Sequence, residues 1–471
     1  MIRMAKKEEW KEILEKEEFG DKRRNKRIIQ IANAIEGQHQ KGASVPLGTH
    51  TRLKAASRVL RCSEVTPEKL TNGFIQKEMQ KITTSHILVV QDTTELNFAW
   101  RELEIEGLGP VGNNTDQGFF LHPGIMVNPE DETVVGLAGF QLYTREWGKE
   151  PSIPYECTKK GFEEKESYRW FSLPEQIKNN VAEGIKITIV GDRESDIYDL
   201  FYEYSKGNLG TNSELLIRTG ARRRVKGKKG LLCNEIATWP ISCCYSLEIP
   251  TRKSRKPRIA DLDLRYNQIT MEVPLHHLYK GKSPIENIYV VDIREANPPE
   301  GEKGIHWTLF TTWPVTSDEE AKEKVAWYNC RWHIEELFKI LKSGYKVESV
   351  KFSNAHALMN WCALRLMMAV KTLCLLKYRE NESEDSAKHH FNDLELNILE
   401  KMENRLISPN SQIRRPPKKS VAWAGLLIAL IGGYHALPSA RPFGQETLWR
   451  GLLKFEGIVE GFQLAKNVGS C

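Results

Sequence analysis

The chain has 471 residues, 40% of them apolar and 28% charged, which is more than a single core of roughly 250 to 300 residues absorbs. That composition excludes collagen-like, low-complexity and wholly disordered chains and predicts two to four packed domains. A net charge of +6 is too small to define a partner by itself, so its placement along the chain matters more than its total.

Met1 to Gly20 alternates Lys and Glu around scattered apolar residues, unlike a secretory signal. FGDKRRNKRIIQIANAI then sets Ile28, Ile31, Ala32 and Ile35 at helical spacing behind the basic turn Lys22 to Arg27, and RLKAASRVL continues the helical pattern. The expected unit is a helical domain over 1–75 with one basic face. After it the period changes. HILVVQ (86–91), FFLHPGIMVN (119–128) and TVVGLAGFQLYT (133–144) read as strands, with Asn128 to Glu132 as a turn. LPEQIKNNVAEG reads as a helix, IKITIVG (185–191) as a buried strand, SDIYDLFYEYS as a helix and ELLIRTG as a strand. Three strands followed by strand, helix and strand predict a mixed α/β sheet over 76–220.

A basic stretch follows. From Arg218 to Arg258 twelve Lys or Arg face only Glu235 and Glu248, a local +10 that leaves −4 for the rest of the chain. Such a block attracts polyanions, because each phosphate it neutralises releases counterions. With Lys22 to Arg27 and Arg414 to Lys419 as further basic clusters, the balance tips towards nucleic acid. The segments SCCYSLEIP, LDLRYNQITMEVP and IYVVDIREA predict an inserted β subdomain over 221–300. HWTLFTTWPV leads into one long helix, expected to start at a capping box of Ser317 and Glu320 and to end at Gly344, within a second core segment over 301–370. From Ser353 onwards the chain reads as helical, with amphipathic or apolar stretches at Leu358 to Tyr378, Asp393 to Arg405, Val421 to Tyr434 and Glu446 to Leu464, and 371–471 is the expected C-terminal helical domain. The longest apolar run, Val421 to Tyr434, contains three glycines and falls short of the ~20 residues a bilayer span needs. A cytoplasmic protein with no membrane partner is expected, and its nine cysteines, none in a C-x-x-C pair, read as small buried hydrophobes.

At about 100° per residue an unbroken helix puts Tyr328, Arg331, Glu335 and Lys342 within about a 60° stripe, while Glu336 points elsewhere. A carboxylate beside a phenol, a guanidinium and an ammonium suits a metal-bound phosphate, although a solvated face with weak i to i+4 pairs accounts for the same spacing. Asp92 and Asp192 each follow an apolar strand, where ligands of α/β sheets collect, although turn or helix-capping aspartates sit there too. Glu194, Asp196 and Asp199 compete with Asp192. Three carboxylates could hold two Mg²⁺ for an in-line phosphoryl displacement. Nothing marks a Ser-His-Asp triad, a Walker loop or a dinucleotide fingerprint.

QDTTELNF (Asp92), VGDRESDIYDLF (Asp192) and YNCRWHIEELFKILKSG (Glu335) resemble the three active-site blocks of bacterial DDE transposases. The last fits the Y-x-x-R-x-x-x-E-x-x-x-x-x-x-K signature of insertion sequence family four at Tyr328, Arg331, Glu335 and Lys342. FGDKRRNKR and ETLWRGLLKFEGIVEGF extend the resemblance, which within that family is nearest to the transposase of the Tn-five transposon. It implies an α/β fold: an RNase H-like (retroviral-integrase-like) catalytic core with an inserted β subdomain, an N-terminal helical DNA-binding domain and a C-terminal helical dimerisation domain. The implied metal ligands are Asp92, Asp192 and Glu335, holding two Mg²⁺, with Mn²⁺ as a substitute. Tyr328, Arg331 and Lys342 would grip phosphates, and Trp307, with Trp313 as its rival, would hold a flipped base. Arg218 and the insertion would hold the duplex, and Arg23, Arg24 and Arg27 would read the terminal sequence. The implied partners are double-stranded DNA, as transposon ends and target, and a second copy in a homodimeric synaptic complex. The implied activity is cut-and-paste transposition by nicking, hairpin formation and resolution, and strand transfer. A metal-dependent nuclease without joining activity and a silent DNA-binding inhibitor are the alternatives.

Overall fold

The computed structural model describes residues 10–36, 47–99, 104–112, 114–148, 160–220, 222–249, 258–276, 279–302, 304–377, 386–408, 413, 415–436 and 442–468. Arg252, Lys253, Arg255, Lys256 and Arg414, five of the basic residues noted above, lie outside them.

Among the described residues one sheet of eleven strands runs through the molecule. Strand β1 (His86–Gln91) is buried beyond its first residue, as is the parallel strand β6 (Lys186–Gly191) beside it. Strands covered on both faces need continuous apolar runs, which is why ILVV and ITIV lack polar alternation. On the other side of β1 lies the long antiparallel β4 (Asp116–Val127), which pairs in turn with β5 (Val134–Tyr143). The short strands β2 (Thr94–Asn97) and β3 (Gly109–Val111) also pair with β4. Strand β7 (Ser213–Arg218) follows β6 in parallel. The order β5-β4-β1-β6-β7, an antiparallel meander joined to two parallel strands, fits an RNase H-like core.

The sheet does not stop at β7. Strand β11 (His306–Thr311) pairs antiparallel with it, and β10 (Ile285–Glu295), β9 (Arg258–Met271) and β8 (Cys243–Ile249) follow outward. The inserted β segment therefore extends the core sheet. Its residues Leu262, Leu264, Val291 and Ile293, with Leu309 of β11, join the same apolar cluster as β1 and β4.

Helix α1 (Lys22–Ile35) is capped by Asp21 and buries Ile28, Ile31, Ala32 and Ile35. With α2 (His50–Leu60) and α3 (Pro67–Met79) it packs on a long helix, α8 (Ala355–Lys377). Asn360 of α8 donates to the carbonyls of Leu60 (2.8 Å) and Val65 (2.7 Å), and Arg365 donates to that of Ile35 (3.2 Å). By length and composition α8 could cross a membrane, but 89% of its apolar window is buried inside the protein. It is the core helix against which the N-terminal helices and the sheet both close. Helices α4 (Arg169–Lys178) and α5 (Tyr198–Ser205) pack in a second apolar cluster that holds no residue of α8, whereas α6 (Asp318–Asn329) and α7 (Trp332–Lys339) share the cluster of α8. The C-terminal part contributes α9 (Asp393–Leu406), α10 (Val421–Ile431) and α11 (Gln445–Val468). Gly344 lets α11 approach, since a Cβ there would meet the Trp449 ring at 2.1 Å.

The capping box of Ser317 and Glu320 starts α6 as its sequence predicts. The single long helix expected after it is broken. At Cys330 and Arg331 the chain turns by i to i+3 bonds (Cys330 N to Trp327 O, Arg331 N to Tyr328 O, Ile334 N to Arg331 O) before α7 begins. The last turn, Ile340–Gly344, widens to a π-helix. Tight and wide turns change the rotation per residue, so the uniform stripe drawn from sequence is replaced by two short helical segments.

Candidate active site

Parallel pairing of β1 with β6 runs in register from His86 opposite Lys186 to Val90 opposite Val190. Asp92 and Asp192 therefore leave the carboxyl ends of adjacent strands side by side, about 4.8 Å apart in backbone spacing. Asp92 Oδ1 accepts the Thr93 amide at 2.7 Å, and Asp192 Oδ1 accepts the Glu194 amide at 2.8 Å. Each carboxylate is aimed by its own turn. Burial, followed by the nearby Asp192 charge, pushes Asp92 up to about 7 despite opposing contributions from the Thr93 amide and Arg331. Two carboxylates held this close suit a bound cation, which attracts both.

Glu335 reaches this pair through Arg331. The guanidinium donates to Asp92 Oδ2 at 3.3 Å and to Glu335 Oε1 at 2.6 Å, bridging β1 to α7. The oxygens of Asp92, Asp192 and Glu335 do not all gather within 4.8 Å of one another, and Arg331 fills the space between two of them. An all-carboxylate set beside open solvent has the chemistry hard divalent cations require, and the Glu335 side chain is 42% exposed.

The competing acids are committed elsewhere. Glu194 pairs with Arg169 at 2.8 Å. Asp196 accepts from Thr219 (2.7 Å), Gly220 N (3.1 Å) and Arg223. Asp199 is held by Tyr279 and Lys282, both at 2.9 Å. Asp192 alone among them faces Asp92 without a cationic partner among the described residues.

Beside the carboxylates lies a second group. Trp307 of β11 meets the Tyr328 ring edge-on, centroids 5.4 Å apart. The Tyr328 hydroxyl is buried with no hydrogen-bond partner, and so is the Nε of Arg218, at the end of β7. Arg218 Nη2 donates to the His306 carbonyl at 3.3 Å. The Arg218 guanidinium lies beside the Tyr328 hydroxyl, so the two form one polar group in a buried setting, and such a group suits a polar ligand. Trp313, the rival of Trp307, is used differently: its indole N–H donates to Thr188 at 2.8 Å and its ring packs on His86 and Trp327. Lys342 is half-buried on the π turn. Arg23 is exposed on α1, whereas Arg24 bonds the Phe19 carbonyl (2.9 Å) and Arg27 bonds Gln30 (3.0 Å). These three lie on α1.

Sequence reading missed a network behind Asp92. Arg169 donates to the Thr93 hydroxyl (2.8 Å), which meets His122 Nδ1 (2.9 Å), and His122 Nε2 meets Gln91 (3.2 Å). The only available signal was a histidine interrupting the apolar run of β4.

Residues 186–371 match the family described as Transposase DDE domain. The matched span contains Asp192, Arg218, Trp307, Tyr328, Arg331, Glu335 and Lys342, while Asp92 precedes it. The match supports a DDE transposase family for this chain. Among solved structures, the chain is similar over 82% of its length to 72% of a chain in the cryo-EM structure of the piggyBac transposase synaptic complex with hairpin DNA, at 11% identity and a TM-score of 0.36.

Proposed function

We propose that this protein is a DNA transposase of the insertion-sequence type that moves its element by cut-and-paste. The observation that carries the reading is the in-register pair Asp92 and Asp192 at the ends of β1 and β6, with Glu335 joined to it by Arg331, within a chain that matches the transposase family. Asp92, Asp192 and Glu335 would hold two Mg²⁺, or Mn²⁺ in their place. When bound, such ions activate an attacking oxygen and neutralise the leaving one in phosphoryl transfer.

The remaining roles belong to the chain itself. Arg331, freed from its carboxylates, is placed to grip a phosphate with a bidentate fork. Tyr328 and Arg218, side by side, would offer their O–H and N–H groups to the DNA backbone, with Lys342 adding charge. Trp307 presents a ring on which a displaced base can stack, a contact of about 1 to 3 kcal/mol. Arg23, Arg24 and Arg27 would contact the element's end, and α11 would pair two copies. Water attack would nick one strand, the freed 3′-hydroxyl would form a hairpin on the other, and after resolution the same hydroxyl would join target DNA. Because all four steps are phosphoryl transfers, one carboxylate site suffices.

The test is incubation with Mg²⁺ and a duplex carrying the terminal sequence that flanks the coding region. Nicks, hairpins and joined products are expected in that order. Nicks with no hairpin and no joined product would instead identify a metal-dependent nuclease, and end binding without any cleavage would identify an inhibitor.

A further inference from the structure

Glu132, Cys330 and His333 each bring a ligand atom within 4.8 Å of the other two. They come from separate parts of the fold. Glu132 sits in the turn between β4 and β5 at φ +58°, in the left-handed region that a residue with a side chain adopts only where its surroundings hold it there. Cys330 and His333 flank Arg331 in the tight turn between α6 and α7, so Arg331 reaches Asp92 while His333 reaches the other way. We propose that these three residues form a second metal site, for a soft divalent cation of the Zn²⁺ type, which ties the β4–β5 turn to the break in the catalytic helix.

The donor set sets the class of ion. A thiolate and an imidazole select Zn²⁺ and disfavour Mg²⁺, which takes oxygen and water. The imidazole is already oriented for this role. His333 Nε2 lies 3.1 Å from the Glu132 carbonyl oxygen and, as the protonated nitrogen, donates to it. Nδ1 is buried with no partner inside hydrogen-bond distance, the Glu336 carboxylate standing 3.7 Å away, in a side chain only 9% exposed. Metal-ligating histidines are commonly fixed in this manner, one ring N–H on a backbone carbonyl and the other nitrogen free for the ion. A buried nitrogen without a partner is costly to leave alone, and an ion would satisfy it. The nearest further donor is Glu336, whose Oε2 lies 3.7 Å from Nδ1 and which also pairs with Lys377.

The site has a mechanical consequence. Arg331 and Glu335 are positioned by the turn in which Cys330 and His333 lie, so an ion that pins this turn to the β4–β5 loop stiffens the carboxylate site without touching substrate. It would stabilise the fold and not replace Mg²⁺ in catalysis.

Co²⁺, added to the full chain in excess Mg²⁺, is the probe. The expected result is one equivalent bound with a sulfur-to-cobalt charge-transfer band, displaced by Zn²⁺, and lost in Cys330→Ser. An all-carboxylate site cannot give that band, so the outcome is independent of the role assigned to Asp92, Asp192 and Glu335. Because Cys330 is buried, a second variant guards against misfolding: Glu132→Gln, on an exposed turn, should weaken Zn²⁺ at least tenfold in competition with a chromogenic chelator. No band, a band that survives Cys330→Ser, or unchanged Zn²⁺ affinity in Glu132→Gln would overturn the proposal.

Discussion

Asp92 combines an electrostatic cost to the fold with a place in the proposed chemistry. Its carboxyl, pushed up to about 7 by burial and then by Asp192, binds a proton in the folded state over a range where the unfolded chain, with an ordinary value of 3.8, has released it. A raised carboxylate value makes the folded state the better proton binder between those limits, so stability falls as pH rises from about 4 to about 7. Asp92→Asn should therefore raise thermal stability at pH 8, by up to about 4 kcal/mol, and leave it nearly unchanged below pH 4. Equal effects at both pH values would show that Asp92 is not crowded. Addition of Mg²⁺ should narrow the difference at pH 8, because an ion bound only by the folded wild type stabilises it. Glu335→Ala should abolish cleavage in a duplex assay while leaving end binding in a gel-shift assay largely intact. Tyr328 gives the complementary signature. Its hydroxyl is buried beside the Arg218 guanidinium, so Tyr328→Phe should change stability by no more than about 1 kcal/mol while strand processing falls. Lost stability together with lost activity would instead mark a structural tyrosine.

The elements differ in how much of them can be read from sequence, for reasons that are physical. Strands β1, β6 and β7 are interior strands buried on both faces, so their apolar runs mark them almost to the residue, and the aspartates after β1 and β6 are found by the same rule. The capping box of Ser317 and Glu320 is equally local, and Ser317→Ala should cost about 1 kcal/mol in thermal unfolding. The break at Cys330 and Arg331 left no such mark. It needs neither proline nor glycine, and a tight turn followed by a wide one preserves the rough apolar period while re-aiming Arg331 towards Asp92. Glu132 approaches Cys330 and His333 only through tertiary packing, across about 200 residues of chain, which no local pattern encodes. Helix α8 is legible as a helical stretch from Leu358 to Tyr378, but Asn360, Arg365 and Lys371 interrupt its apolar run and hide its central place, since the first two are buried and bonded to the N-terminal helices. Gly344 reads locally as a helix end, but its main constraint is the Trp449 ring. Gly344→Ala should destabilise by about 1 to 3 kcal/mol, the usual cost of overpacking, and loosen α11, detectable as faster proteolysis near the C-terminus.

At the scale of the whole molecule, the N-terminal helices, the sheet and the C-terminal helices meet around α8, so DNA held by the basic face of α1 and α2 would be mechanically coupled to the carboxylates. Arg23 of α1 and Arg52, Lys54 and Arg58 of α2 are exposed, and end binding should weaken steeply with salt, with a log-log slope of about −0.9 for each phosphate neutralised. The opposite end of the chain bears on assembly. Helix α11 exposes Leu453 (40%), Ile458 (37%) and Leu464 (66%), and Leu453 and Leu464, eleven residues apart, fall on one face at three turns of helix. Apolar side chains repeated on an exposed helix face suit burial against a second copy. If the proposed synaptic dimer forms there, Leu453→Asp with Leu464→Asp should leave a folded chain that binds a single end with unchanged affinity but sediments with it as one protomer. Hairpin and joined products should then fall together, because each end would no longer be met by the second subunit. A variant that still sediments as a dimer on DNA and still joins ends would remove α11 from the assembly and direct attention to another surface.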